Sequence, residues 1–149
     1  MAEKPKYKKQ IQVKKAPATP VTGVQKKAWK IPPWAIYAVL TLTAVIYLRS
    51  LFNGFVTWDD DGYVCKNKDI MDFSFNGIKT IFSSFYVGNY QPLSMLTYLF
   101  EYRLFGLNPF PYHLLNMLLH LANVFLVYLF IKKLSGQEFT AVFVAAIFG

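Results

Sequence analysis

Cysteine is almost missing from this chain: Cys65 is the only one in 149 residues, so no disulfide can close within it, and the count says nothing about redox compartment. Histidine is nearly as scarce, with only His113 and His120. There is no glycine-rich phosphate loop, no His-x-x-x-His pair, no Cys-x-x-Cys and no Gly-x-Ser-x-Gly elbow, which leaves the soluble enzyme classes without support. Acids are few, eight against sixteen Lys and Arg, and charged residues make up only 16% of the chain. What remains is 54% hydrophobic and 18% aromatic, with a mean hydropathy of +0.29. That is too apolar for an ordinary soluble domain, yet the formal charge is +8. Position reconciles the two, because charge and apolar residues occupy different stretches.

The charge is at the front. Residues 1–30 hold nine lysines against a single acid, Glu3, with prolines at 5, 17 and 20. Such a segment repels itself and has little to bury, so it reads as a disordered basic tail. A polybasic run abutting a hydrophobic span faces anionic lipid headgroups on the cytoplasmic side, and nucleic acid is not expected as its partner. No small-residue cleavage site follows the apolar run, so a cleavable signal peptide is not expected.

Ile31 to Leu48 is the first span: 18 residues without a charge, opened by Pro32 and Pro33 and by Trp34 at interface level. The first transmembrane unit is placed at 31–52, with Arg49 able to snorkel at its far end. An outer loop at 53–111 follows, carrying six acids and, among its bases, Lys66, Lys68, Lys79 and Arg103. Within it, Asn76 to Phe82 can form a short helix, and Pro92 to Leu104 reads as an interfacial helix on which Leu93, Leu96, Leu99 and Phe100 recur at helical spacing. The turn cluster Gly106 to Pro111 leads into a second span at 112–134, which ends on Lys132 and Lys133. Residues 137–149 begin a third apolar helix that stops partway across a bilayer, so the sequence is expected to be truncated. The fold class expected is an all-α membrane protein, the N-terminal fragment of a polytopic helical bundle with an outer loop carrying interfacial helices, and the N-terminus cytoplasmic.

Two constellations could carry chemistry. The first is Phe55 to Asn67, FVTWDDDGYVCKN, three consecutive carboxylates between aromatics just beyond the first span. Asp59 and Asp60 at the mouth of a membrane bundle offer a general base or hydroxyl-activating carboxylate, and an acidic turn or helix cap would use the same residues. A divalent cation is possible there, although two carboxylates without a placed third ligand are a weak metal signal, and no metal residue is assigned. The second is His113, Asn116, His120 and Asn123 on the second span, at i, i+3, i+7 and i+10. Polar groups at that depth must face protein or a wet cavity. Interhelical hydrogen bonding is the plainer use for them.

The blocks F-x-x-W-D-D-x-x-Y-V-x-x-N, Y-x-P-L-S, G-x-N-P-x-x-Y-H-L-x-N and a following L-H-x-x-N, spread over roughly residues 50–149, resemble the start of the C-type-fold membrane glycosyltransferases. The nearest branch is the transmembrane and tetratricopeptide-repeat-containing O-mannosyltransferases and their prokaryotic relatives. The resemblance implies sugar transfer, possibly of mannose, from a polyprenyl-phosphate carrier to a protein or glycan hydroxyl on the outer or lumenal side. The membrane would be the inner or plasma membrane of a prokaryote, or the endoplasmic reticulum. It implies Asp59 as the base and Asp60 as its partner, with Tyr63 and Asn67 matching motif positions whose plainer role is to fix the loop. Arg103, His113, Asn116 and His120 become candidates for binding the carrier phosphate, Arg103 being matched against a plain pairing with Glu101. The chain alone is not expected to turn over. Two other readings stay open: a non-catalytic membrane scaffold with a lipid- or partner-binding tail, and a transporter whose His and Asn line a path.

Overall fold

The structure, a computed structural model, describes residues 30–149. The basic tail up to residue 29 lies outside the described residues. Helix α1, Ala35–Tyr47, starts after Pro32 and Pro33, whose rings pre-set the entry, and the Ala35 N–H bonds back to the Pro32 carbonyl at 3.0 Å. It tightens into a 3₁₀ turn, Leu48–Phe52, that carries the chain out of the bundle. A single π turn at Asp61–Cys65 and a 3₁₀ turn at Asp69–Met71 come next, then helices α2, Phe75–Ser83, and α3, Pro92–Phe105. Helix α4, Pro109–Ser135, is the longest, and α5, Glu138–Phe148, returns along it. Among the described residues there is no strand, only an isolated bridge between Tyr86 and Asn89.

Local chemistry sets these limits. The Asn108 side chain accepts from the Phe110 N–H at 3.2 Å and Pro109 occupies the first turn, so α4 begins three residues before the Tyr112 start read from the sequence. It ends on Gly136, whose φ of +64° takes the left-handed cap that residues with a Cβ resist. Glu138, one residue after the expected start at 137, is the first residue of α5.

Two clusters organise the packing. In one, α1, α4 and α5 close around Ile36, Val124, Tyr128, Ala141, Val142 and Ala145. At its end the Tyr128 hydroxyl donates to Glu138 Oε1 at 2.6 Å, and Lys132 Nζ reaches both Tyr128 Oη at 2.9 Å and Glu138 Oε2 at 2.9 Å, tying α4 to α5. In the other cluster, Val64, Ile70, Ile81, Tyr86, Met95, Leu99 and Tyr112 pack the two turns, α2 and α3 onto the start of α4. Of the apolar stripe expected on α3, only Leu99 is fully buried, while Leu93 is 71% exposed. The reason is that α3 is held between α2 with the 3₁₀ turn on one side and α4 on another, so it buries two faces and not one stripe.

The segments Ala35–Phe52 and Pro109–Ser135 are long and apolar enough to cross a membrane. Their outer faces present Leu42, Val45, Ile46, Leu118, Leu126 and Phe130 without cover, which water would penalise and lipid would not. The chain is an all-α integral membrane protein.

Helix α2 offers a test of the second cluster. Ser74 caps it by accepting from the Gly77 N–H at 3.1 Å, and a Cβ on Gly77 would run into the backbone carbonyl of Asp72. Because the obstruction is main chain, Gly77→Ala is expected to cost about 1–3 kcal/mol, and Ser74→Ala about 1 kcal/mol. Thermal unfolding in detergent checks both; a Gly77→Ala variant that melts with the parent would contradict the packing described.

Candidate functional site

The acidic loop leaves the bundle at Asn53 and turns back under its own side chains. Its three aspartates have three different circumstances. Asp60 Oδ2 accepts from the Val56 N–H at 2.8 Å, fastening the loop to its own entry segment. Asp61 Oδ2 pairs with Lys66 Nζ at 2.6 Å across the π turn, and the Lys66 N–H closes that turn on the Asp61 carbonyl at 2.9 Å. The Asp61 carboxylate correspondingly raises the Lys66 pKa. Asp59 is exposed, and its side chain has no hydrogen bond or ion pair among the described residues. Of the triplet it alone has both oxygens available to a ligand.

The neighbouring motif residues hold the loop in place. Asn67, nearly buried, donates from Nδ2 to the Tyr63 carbonyl at 3.3 Å and accepts the Asp69 N–H at 3.0 Å. The Tyr63 hydroxyl accepts from Asn89 Nδ2 at 3.0 Å. Tyr86 donates to Asp69 Oδ2 at 2.8 Å, and burial together with that bond pushes its phenol up to about 12. Cys65 beside them is held above its ordinary pKa, first by burial and then by the charges of Asp61 and Asp60, so the thiol is no ready nucleophile.

A turn at Tyr86–Asn89, bonded in both directions at 2.9 and 2.8 Å, presses on this loop. Val87 at its tip has φ +48°, a conformation a β-branched residue adopts only under constraint. Its side chain lies over Gly62, where an added Cβ would come within 2.6 Å of Val87 Cγ2. Glycine directly after the acid triplet is thus a requirement of close approach.

The residues singled out on α4 separate. Seven residues return within about 20° of the same direction, whereas three rotate about 60° away, so the expected stripe is two adjacent rows. His113 and His120 form the inner row. His113 Nε2 is buried without a hydrogen-bond partner, and its ring lies 6.5 Å from Phe55, the residue that leads into the acidic loop. His120 sits further along, edge-on to Tyr47 at 5.1 Å and stacked on Phe148 at 5.7 Å, with Nε2 3.4 Å from the Gly149 carbonyl. Asn116 and Asn123 form the outer row and are exposed. Asn123 borders a shallow apolar hollow with Leu126, Val127, Phe130 and Phe148.

Arg103 is exposed and joined to no carboxylate among the described residues, so the pairing with Glu101 does not form. Residues two apart point to opposite sides of a helix, which forbids it. Glu101 instead turns inward and is only 6% exposed, a placement the sequence reading missed. Among the described residues no three His, Cys, Asp or Glu side chains group to hold a metal ion.

The class that the fold and loop define is an all-α membrane bundle presenting a tied acidic loop with one unengaged carboxylate. Comparison with known proteins narrows the class. The chain is 32% identical over 123 residues to human Protein O-mannosyl-transferase TMTC3, an overlap that takes in 76% of this chain and 13% of that protein. It is 32% identical over 120 residues to the mouse protein of the same name, 74% of this chain and 13% of that one. With Drosophila melanogaster Protein O-mannosyl-transferase Tmtc1 it shares 29% identity over 116 residues, 72% and 13% respectively. The chain is TMTC-like, a relative of these glycosyltransferases that spans about an eighth of their length. No family model and no solved structure matches it.

The contact between Val87 and Gly62 predicts a coupled pair of substitutions. Gly62→Ala should destabilise the loop by about 1–3 kcal/mol. Val87→Gly should be neutral or stabilising alone and should remove most of the Gly62→Ala penalty. Melting of the two single variants and the double variant measures the coupling; additive effects would show that the turn does not bear on the loop.

Proposed function

We propose that the chain supplies the acidic, acceptor-side loop of an integral membrane glycosyltransferase. In this reading the enzyme moves a sugar, mannose by analogy with the names of its relatives, from a polyprenyl-phosphate donor to a hydroxyl on protein or glycan. The observation that carries the proposal is Asp59: exposed, unpartnered, and set between Trp58 and an Asp60 whose own carboxylate is spent on the loop backbone. The Asp59 carboxylate takes the proton of the acceptor hydroxyl as that oxygen attacks the anomeric carbon. The bond from that carbon to the carrier phosphate breaks with inversion, and the phosphate departs with the lipid. Asp60 acts as a positioning residue. Arg103 and His113, neither with a hydrogen-bonding or ionic partner for its side chain among the described residues, remain candidates for the carrier phosphate, Arg103 by its exposed charge and His113 by a buried Nε2 whose hydrogen bond is unmade. Asn116 and His120 would extend that surface along α4. A divalent cation could join through Asp59, with the carrier phosphate completing its ligands.

The orientation follows from charge. The lysines before α1, and Lys132 with Lys133 at the far end of α4, would face the cytoplasm, placing the acidic loop at the outer or lumenal face. Helix α3 would lie along the outer leaflet, with Leu93, Phe100 and Leu104 toward lipid.

In the full-length protein, Asp59→Asn is expected to lower transfer from polyprenyl-phosphate sugars by at least about a hundredfold. Asp61→Asn, which removes only an exposed pair with Lys66, should stay near the parent rate. A panel of lipid-linked donors scored for labelled acceptor checks both, and unchanged transfer by Asp59→Asn would overturn the assignment.

A further inference from the structure

Helix α4 leaves one side of itself uncovered, and the residues there are spaced in a way that a surface meant only for lipid does not need. Asn116, Leu119, Asn123, Leu126, Phe130 and Lys133 follow one another at intervals of three, four, three, four and three. All six are exposed. Alternating steps of three and four keep successive side chains on one narrow stripe, the a and d seam along which one helix receives another. The stripe turns away from Val124 and Tyr128, which pack in the cluster with α1 and α5. It lies within the span Pro109–Ser135, and its seventeen residues of travel cover about 25 Å, most of the depth of a bilayer core.

Two features make lipid a poor cover for this stripe. Asn123 stands near the middle of α4, and its side chain has no hydrogen bond among the described residues. Its amide carries two donors and an acceptor that hydrocarbon tails cannot satisfy. The second feature is shape. Asn123, Leu126, Val127 and Phe130 line a hollow, with Phe148 of α5 at its side. Those four α4 residues fall at i, i+3, i+4 and i+7, the corners of the hole into which a side chain of a facing helix packs. An acyl chain could fill the hollow, but it would leave the amide unpaired.

We propose that this stripe receives a membrane-spanning helix of the same polypeptide from outside these 149 residues, seated along α4 with one side chain in the Asn123–Phe130 hollow and a hydrogen-bonding group opposite the Asn123 amide. The overlap takes in only 13% of each TMTC relative, so those proteins hold ample chain for such a helix. A second copy of this chain suits the stripe less well. Two copies in the same membrane orientation, related by a twofold axis, would bring Lys133 against Lys133, and like charges face to face oppose association. Lys133, unlike Lys132, has no carboxylate partner among the described residues, so an acid or a helix-end carbonyl on the incoming helix would complement it. Asn116, one heptad nearer the loop end, continues the row toward the candidate phosphate surface. The docking does not depend on the transferase reading.

The test is photocrosslinking of the full-length protein in its membrane, with benzoylphenylalanine placed singly at Phe130 and at Leu129, followed by mapping of the joined peptides. Both positions are exposed, but Leu129 lies about 100° round the helix, off the stripe. The probe at Phe130 is expected to join, within one polypeptide, a segment outside residues 1–149, while the probe at Leu129 gives mainly lipid adducts. Asn123→Leu should lower the Phe130 yield about three- to tenfold, and Asn123→Gln, which keeps an amide, should restore most of it. Crosslinks from Phe130 that join two copies, or that reach only lipid, would overturn the proposal, as would an unchanged yield in Asn123→Leu. Should the probe at Phe130 prevent accumulation of the protein, the probe at Leu126 on the same stripe reads the same contact, with the same outcomes deciding.

Discussion

Helix α4 is the member on which the rest is built, because it enters both clusters. Tyr112 near its start is keyed into the packing under the acidic loop, and Tyr128 near its end closes the bundle with α1 and α5. The two are sixteen residues apart, about 24 Å along a helix, close to the thickness of a bilayer core. A helix satisfies its own backbone over that distance, which is what a lipid environment demands. Removing either tyrosine would therefore uncouple an end of the molecule and not only a local contact. The side chains between them face α1 and α5 on one side and remain uncovered on the other.

At the loop end, the acid triplet is a division of labour enforced by geometry. Asp60 and Asp61 are consumed in holding the turn, one by a backbone N–H and the other by a lysine. The π turn, the close approach of Val87 to Gly62 and the bonds through Tyr63, Asn67 and Asn89 then leave little freedom in the direction Asp59 points. Strain at Val87 is the visible cost of that fixation. On α3, Glu101 is buried where Arg103, two residues on, is not. One carboxyl is open to water and the other is withheld from it.

Much of this was legible in advance. Charge-free runs, prolines at helix starts and Gly136 at a helix end mark the spans and their breaks, and the acid triplet marks the loop, since each is a local property of the chain. The resemblance to the O-mannosyltransferases was carried by residues that turn out to fix the loop as well as by those that could act. What could not be read is non-local. Glu101 looked like a surface charge because an acid beside a base on an amphipathic helix usually is one; only the i, i+2 spacing argued against their meeting. The burial of two faces on α3 depends on what packs above and below it. The strained turn at Val87 had a signal only in Gly88 and Asn89, and nothing in a valine announces a positive φ. The row of His and Asn on α4 divided because three residues turn a helix about 60° short of a full turn while seven nearly complete two, a consequence of its pitch that the spacing already contained.

The central claim is that α4 holds the acidic loop and the Lys132–Glu138 clamp on opposite faces of one membrane. The most direct measurement is sided labelling in sealed, oriented vesicles with a membrane-impermeant maleimide, using Trp58→Cys and Ser135→Cys singly in a Cys65→Ser background. Both positions are exposed. The account predicts that each is labelled from one side only and that the sides differ. Labelling of both from the same side would contradict it.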